Sequence, residues 1–448
     1  MIKRLLAILL FLNSTVIYAQ TIKTDVLVVG SSASGVAAAI QCGRSKVKTI
    51  LADDGFKISG ITVAGQMVSL EVNNNIPSGI WGEFRQHIRE NYGKTAGYDT
   101  AQNAPLKFEP GMGTSILKKI SDTVKNLTVY QNAIFSNIKK DGDRWEVTLT
   151  REGKTITVKA RVVVDATETG AVAIKAGAKL REPFSNQTDN STLKMYRTSI
   201  AASENLPGQT HTDANSPKNN YPQYPAFTIP LNAVVVGDVE NILVTEKVLP
   251  AEKNIQYLPL QLQLGQGVGC AAAFCAFFKT TTKHLNVRII QGELLDFKGY
   301  LLSFADINQT DHAWRTIQQV CATGLLRGRQ QITNGNPQFV FMPDSAVSTA
   351  ELQPVLTEIY TRAFIWFNIQ KPGEKFTVGN TLSFISEITL TDPAVLNKSM
   401  AKAWKGQYKF KLDFDVNRPI SRYEFAVLAN RFLNPFARTV DLAGRLVN

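Results

Sequence analysis

Cysteine and histidine are scarce in this chain, four of each in 448 residues. Cys42, Cys270, Cys275 and Cys321 include no Cys-x-x-Cys pair, and His87, His211, His284 and His312 are scattered. Metal-ligand spacing is therefore missing, and no metal site is expected. Export would permit a disulfide, but Cys42 falls in a helix-like run and Cys270 and Cys275 share one apolar helix, so these thiols read as small core residues. Charge is sparse as well. Charged residues make up 19% of the chain, with a formal net charge of +12. No basic run is interleaved with aromatics, which argues against a nucleic-acid partner. Beyond the first twenty residues no stretch reads as a membrane span, so no integral membrane segment is expected in the mature chain. What the composition does supply is core: 44% hydrophobic residues, an ordinary globular content, in a length that favours two domains.

The N-terminus reads as a secretory signal. Lys3 and Arg4 form its charged end, Leu5 to Leu12 its apolar run, and Ala19 the small residue before a cut. Residues 1–19 are expected to be removed, leaving an exported protein, periplasmic or extracellular. No cysteine follows the cut, so lipid attachment is not indicated.

Residues 25–54 carry the strongest local signal, DVLVVGSSASGVAAAIQCGRSKVKTILADD. An apolar run enters Gly30, a loop of small residues (Ser31, Ser32, Ala33, Ser34) ends at Gly35, a helix-like VAAAI follows, and a second apolar run closes on Asp53 and Asp54. Gly30 permits a tight turn. A helix starting near Ser34 aims free N–H groups and its positive dipole end at a pyrophosphate. Asp53 stands where a carboxylate accepts from ribose hydroxyls. Ser32 occupies the middle position where the pattern has glycine.

Further along, LTVYQNAIFSNIKK, RWEVTLT and KTITVKARVVVDAT alternate or run apolar as strands do. Residues 181–226 are polar and loop-like, NILVT is a buried strand, and LGQGVGCAAAFCAFF reads as a small-residue helix beginning at a glycine-rich turn.

Taken together, these motifs resemble the FAD-dependent oxidoreductases of the two-dinucleotide-fold type, and more narrowly their exported bacterial subgroup. The likeness covers roughly residues 24–280. GSSASG at 30–35 matches the phosphate loop and Asp53 the ribose-binding acid. Ser59-Gly60 matches a pair approaching the flavin diphosphate, and FEP at 108–110 a helix opening. Asn132-Ala133-Ile134 matches a strand whose backbone contacts adenine, VVVDATETG with Ala166 and Thr167 a strand end passing the cofactor, and ENILVTEKV with LQLGQGVGCAAA the closing motif. The resemblance implies an α/β fold: a Rossmann-like, glutathione-reductase-type FAD domain over residues 20–285, with a substrate-side insertion at about 175–235. It implies FAD bound non-covalently, with Ile134 at the adenine and Gly265-Gln266 opening a helix whose N-terminus points at the flavin. A reduced flavin's negative charge would be stabilised there. Hydride transfer to or from a small-molecule or sugar-like substrate is the activity so implied. No catalytic residue declares itself. Arg197, Tyr196 and His211 are the substrate-side candidates, and His87 reads as structural.

Residues 304–356 resemble an S-layer-homology module, through FADI, HAW, TGLLRG and FMPDSAVSTAEL. Ser348 and Glu351 have capping-box spacing, repeated by Ser421 and Glu424, with FTVGNTLSFI at 376–385 as a degenerate copy between them. A mainly α-helical C-terminal domain over 300–448 follows. The resemblance implies cell-wall polysaccharide as a partner, with Arg422 keeping the family's arginine and Thr349 replacing it. The alternative is a scaffold packed on the flavin domain, or a flavin fold that has lost catalysis and only associates with the wall.

Overall fold

A computed structural model gives the structure of the protein over residues 20–55, 66–70, 76–101, 104–180, 192–203, 227–249, 255–333 and 336–447. The expected signal at 1–19, the Ser59-Gly60 pair and His211 lie outside the described residues.

In chain order the N-terminal part contains β1 (Gln20–Val29), α1 (Ala33–Arg44), β2 (Thr49–Asp53), β3 (Val68–Leu70), α2 (Gly79–Tyr92), β4 (Leu106–Phe108), α3 (Pro110–Asp122) and β5 (Leu127–Gln131). It continues through β6 (Ala133–Asp141), β7 (Arg144–Arg151), β8 (Lys154–Asp165), α4 (Ala171–Lys175), α5 (Thr192–Thr198), β9 (Ser199–Ser203), β10 (Phe227–Pro230), β11 (Ile242–Val244), α6 (Leu258–Phe277) and α7 (Val287–Asp296). Five strands form a parallel sheet in the order β5-β2-β1-β8-β11. By order of appearance these are third, second, first, fourth and fifth. The winding reverses between β1 and β8, and a crevice opens beyond their carboxyl ends. The apolar run Val26–Val29 is buried throughout, as parallel strands between helical layers are. The first half of β8 pairs antiparallel with β7, and β7 with β6, so a meander extends the same sheet.

Helix α6 is the core helix. It begins at Leu258, not at the glycine-rich LGQG expected to open it. Its glycines serve packing instead: a Cβ on Gly265 would stand 2.1 Å from Ser34 O, and one on Gly269 2.7 Å from Ala38 O. The backbones of α1 and α6 are thus in direct contact, running in the same direction. All four cysteines are buried and free, and Cys42 donates to Gly269 O at 3.3 Å across this interface.

The C-terminal part is mainly helical: α8 (Trp314–Cys321), the hairpin β12 (Arg329–Thr333) and β13 (Asn336–Val340), α9 (Thr349–Ile359), α10 (Ala363–Gln370), α11 (Val378–Thr389), α12 (Pro393–Gly406) and α13 (Arg422–Leu428). Three of these helices open alike. Ser348 caps α9, Thr377 caps α11 in a box with Asn380, and Ser421 caps α13 in a box with Glu424. The segments entering them close a three-way ring: Val347 N–H donates to Ile420 O, Ile420 N–H to Phe376 O, and Phe376 N–H to Val347 O. The copy at 376–385 is therefore structurally equal to its neighbours. The FADI and FMPD turns are packing devices. Phe304 stacks on Phe339 at 5.2 Å, and Asp306 accepts from Phe341 N–H and Met342 N–H at 2.7 Å each.

Candidate cofactor site

The crevice edges meet at the end of β1. Ala166 N–H donates to Val29 O at 2.8 Å. Gly30 sits at φ +99°, and a Cβ there would stand 2.6 Å from Ala166 O, so the turn accepts only glycine. A Cβ on Gly35 would stand 2.3 Å from Gly30 O and 2.7 Å from Ala166 Cβ. Ser32, the departure from the glycine pattern, is the N-cap of α1 and accepts Gly35 N–H at 3.2 Å, a bond that stabilises such a helix by about 1 kcal/mol. The first-turn amides of Ala33 and Ser34 have no intrahelical acceptor. With the positive end of α1 they make an anion site.

The loop side chains divide. Ser31 donates to Asp54 Oδ1 at 3.2 Å. Ala33 and Ser34 are fully buried, and the Ser34 hydroxyl donates to the Glu246 carboxylate. These two residues offer backbone, not side chain. Glu246 is itself buried and accepts from Gln261 Nε2 at 3.2 Å.

A cavity of about 430 Å³ opens beside the ends of β2 and β5, with α3 as its other wall. Ser31, Asp53, Lys118 and Gln131 give it polar edges; Leu51 and Val129 give it an apolar floor. Asp53 accepts Gly55 N–H on Oδ1 at 2.8 Å, leaving its second oxygen for a ligand hydroxyl. Ile134 does not line this cavity. It lies on β6 opposite Thr150 with its side chain 59% exposed, and Gln131 borders the space instead.

Across the crevice, Asp165 is buried and accepts from Thr167 N–H at 3.0 Å, Thr167 Oγ1 at 2.6 Å and Ala173 N–H at 2.8 Å. Burial pushes its carboxyl above the usual range, and these bonds pull it partly back. Thr167 also accepts Ala171 N–H at 2.9 Å. Its hydroxyl fixes the strand end, and Ala166 supplies the small border next to Gly35.

Gly265 and Gln266 lie inside α6 and not at its N-terminus. Gln266 is fully buried; it accepts Ile80 N–H and donates to Gln41 Oε1 and Phe297 O, each at 3.1 Å. The helix end that the sequence placed here belongs to Leu258–Gln261. Around that end, buried polar atoms lack partners among the described residues: Thr228 Oγ1, Thr245 Oγ1, Gln261 Oε1 and both ends of the Gln263 amide. Each such group costs about 1–3 kcal/mol unless a ligand or water meets it. An anion-binding helix end, a carboxylate beside a cavity and a row of unsatisfied amides and hydroxyls fit a cofactor with a diphosphate, riboses and a polar ring. Neither Glu246, Gln263 nor Lys118 was legible in the sequence as part of the site. Glu246 stood within the closing motif, but its contact with Ser34 depends on the α1–α6 packing.

The substrate-side candidates lie elsewhere. Arg197 is buried in a bidentate pair with Glu358, at 2.7 and 2.6 Å, and also donates to Thr323 O at 3.1 Å. Tyr196 is buried beside it. His87 pairs with Glu90 at 3.2 Å on the surface of α2.

This arrangement defines a dinucleotide-binding α/β protein. Residues 25–220 match the family model described as FAD dependent oxidoreductase. Over that stretch the chain is similar to the FAD-dependent oxidoreductase family, and its cofactor is FAD. No curated protein matches the chain. Among solved structures, it is similar to p-nitrophenol 4-monooxygenase from Pseudomonas putida DLL-E4 at 14% identity, over 33% of this chain and 40% of that one, with a TM-score of 0.22. It is also similar to the bacillithiol disulfide reductase of Bacillus cereus, at 17% identity over 32% and 40% with a TM-score of 0.24. For Thermovibrio ammonificans THI4 the identity is 12%, over 62% and 95%, with a TM-score of 0.32. The chain spans about 40% of the length of the first two, and likenesses this distant bear on no functional detail.

Proposed function

We propose that the protein is an exported FAD-dependent oxidoreductase that transfers a hydride between flavin and a small-molecule, sugar-like substrate. The observation that carries this reading is the row of unsatisfied polar groups at the start of α6, Gln261 and Gln263 with Thr228 and Thr245, next to an intact glycine-lined turn. The flavin supplies the hydride chemistry. The chain's part is to hold the diphosphate at the amides of Ala33 and Ser34, hold a ribose at Asp53, and keep water out with α6. Export rests on Lys3, Arg4 and the Leu5–Leu12 run, and a glutathione-reductase-type arrangement on the strand order. The three-way ring of capped helices supports reading 300–448 as S-layer-homology-type repeats with cell-wall polysaccharide as partner. Arg422 is not a free ligand arginine in that reading, because it is wholly buried against Glu351.

A non-catalytic, wall-associated flavin protein is the second reading. It is favoured by the burial of Arg197 and Tyr196 away from the crevice. Anaerobic titration with sugars, alcohols and amines separates the two. Bleaching of the flavin band by one class supports the oxidoreductase, whereas bleaching by dithionite alone supports the second reading. N-terminal sequencing of exported protein should begin at Gln20; cytoplasmic material retaining Met1 would overturn export.

A further inference from the structure

The edge of the sheet opposite the crevice carries an unusual surface. The amino ends of the parallel strands meet there, as backbone bonds from Val26 N–H to Lys48 O, Thr49 N–H to Asn126 O and Val163 N–H to Asn241 O establish. Because α1 and α6 run together away from the crevice, both also end at this edge. The last residues of α6 do not turn inward. Phe277 and Phe278 are 65% and 54% exposed, with ring centroids 5.1 Å apart, although the rest of this long helix is almost wholly buried. Lys279 follows in the left-handed conformation at φ +52°, which stops the helix and leaves the ring pair at its tip. The same edge carries Lys46 at the end of α1, Lys48 before β2 and Lys125 before β5, all exposed and without an acidic partner among the described residues. Of the carboxylates at this edge, Glu240 pairs with Lys283 at 2.5 Å and Asp143 with Arg161 at 2.9 Å, and Asp25, whose N–H donates to Lys48 O at 3.0 Å, is half-buried.

We propose that this face docks the protein on an anionic lipid surface. Two adjacent aromatic rings on a helix tip can enter the headgroup boundary, and each nearby lysine adds attraction to anionic lipid. Charge complementarity favours a lipid surface over a second copy of the chain, since two copies would bring like-charged lysines together. The crevice lies at the other edge of the sheet, so docking leaves it open to solvent.

The test is co-sedimentation of the full chain with vesicles of phosphatidylglycerol and phosphatidylcholine, beside vesicles of phosphatidylcholine alone. Binding is expected only to the anionic vesicles, weakened by salt, and reduced at least about tenfold in F277S/F278S and in K46E/K279E. A Phe278→Trp variant gives a local readout: its emission shifts to the blue with anionic vesicles if the tip inserts. Equal binding by wild type and both variants, or an unshifted Trp emission, overturns the proposal. So does loss of the patch's effect on vesicles together with concentration-dependent dimerisation, which would assign the face to a second copy.

Discussion

At the scale of single residues, the site depends on what is absent from two positions. Gly30 and Gly35 leave the space in which β1, α1 and β8 converge, and a side chain on Gly35 would meet backbone at 2.3 Å. Gly35→Val should weaken FAD binding by at least about tenfold and lower the melting temperature, because overpacking here costs about 1–3 kcal/mol. Ser32→Gly should cost only a few tenths of a kcal/mol. Fluorescence titration with FAD and thermal denaturation check both. Asp165 supplies a pH signature. Burial raises its carboxyl above the unfolded value, so the folded state holds a proton where the unfolded chain has lost it. Its contribution to stability therefore grows as pH falls through the raised value and levels off below the ordinary one. In Asp165→Asn this acid-side gain in melting temperature, relative to neutral pH, should vanish; an unchanged difference between wild type and variant across pH would contradict the assignment.

At the scale of elements, the helix starts carry the C-terminal architecture. Arg422, on the first turn of α13, donates to both oxygens of Glu351 at 2.6 and 2.7 Å, to Phe341 O at 2.6 Å and to Arg327 O, and stacks on the Phe341 ring. Arg422→Ala should lower stability by about 1–3 kcal/mol, since Phe341 O and Arg327 O lose their buried donor, while Glu351 keeps Arg329 at 3.2 Å. The melting temperature reads this directly; an unchanged value would return Arg422 to a surface role. In sequence Arg422 matches the arginine of the wall-binding modules, because a motif position says nothing about which face of a helix is covered. The β1–α1–β2 unit was legible for the opposite reason: Gly30, Gly35 and Asp53 act through local geometry that the chain itself encodes. The beginning of α6 was not. Gly265 and Gln266 look like a helix-opening turn in sequence, and only the close approach of α1 shows that those small residues exist to let two backbones touch. The same holds for Gln261 and Gln263, whose unsatisfied amides appear only once the neighbouring strands are in place.

At the scale of the whole molecule, the helical part is not an appendage. Tyr300 N–H donates to Ser78 Oγ at 3.0 Å, Ser199 donates to Leu301 O at 2.6 Å, and the buried Arg197 finds its counter-charge on Glu358. A chain ending at Gly299 removes Glu358, Thr323 and Gly444 from Arg197 and uncovers the apolar surface around it, so it should be recovered unfolded or aggregated and unable to take up FAD; a soluble, FAD-binding truncation would show that the two parts fold separately. The central claim, that the crevice holds FAD, is tested most directly by the absorption spectrum of the purified full chain, followed by FAD titration of any colourless fraction and release of the flavin by denaturation. A flavin spectrum whose chromophore leaves the denatured protein as intact FAD, and which is lost in Gly35→Val, is the predicted result. A folded, colourless protein that takes up no added FAD would contradict the account.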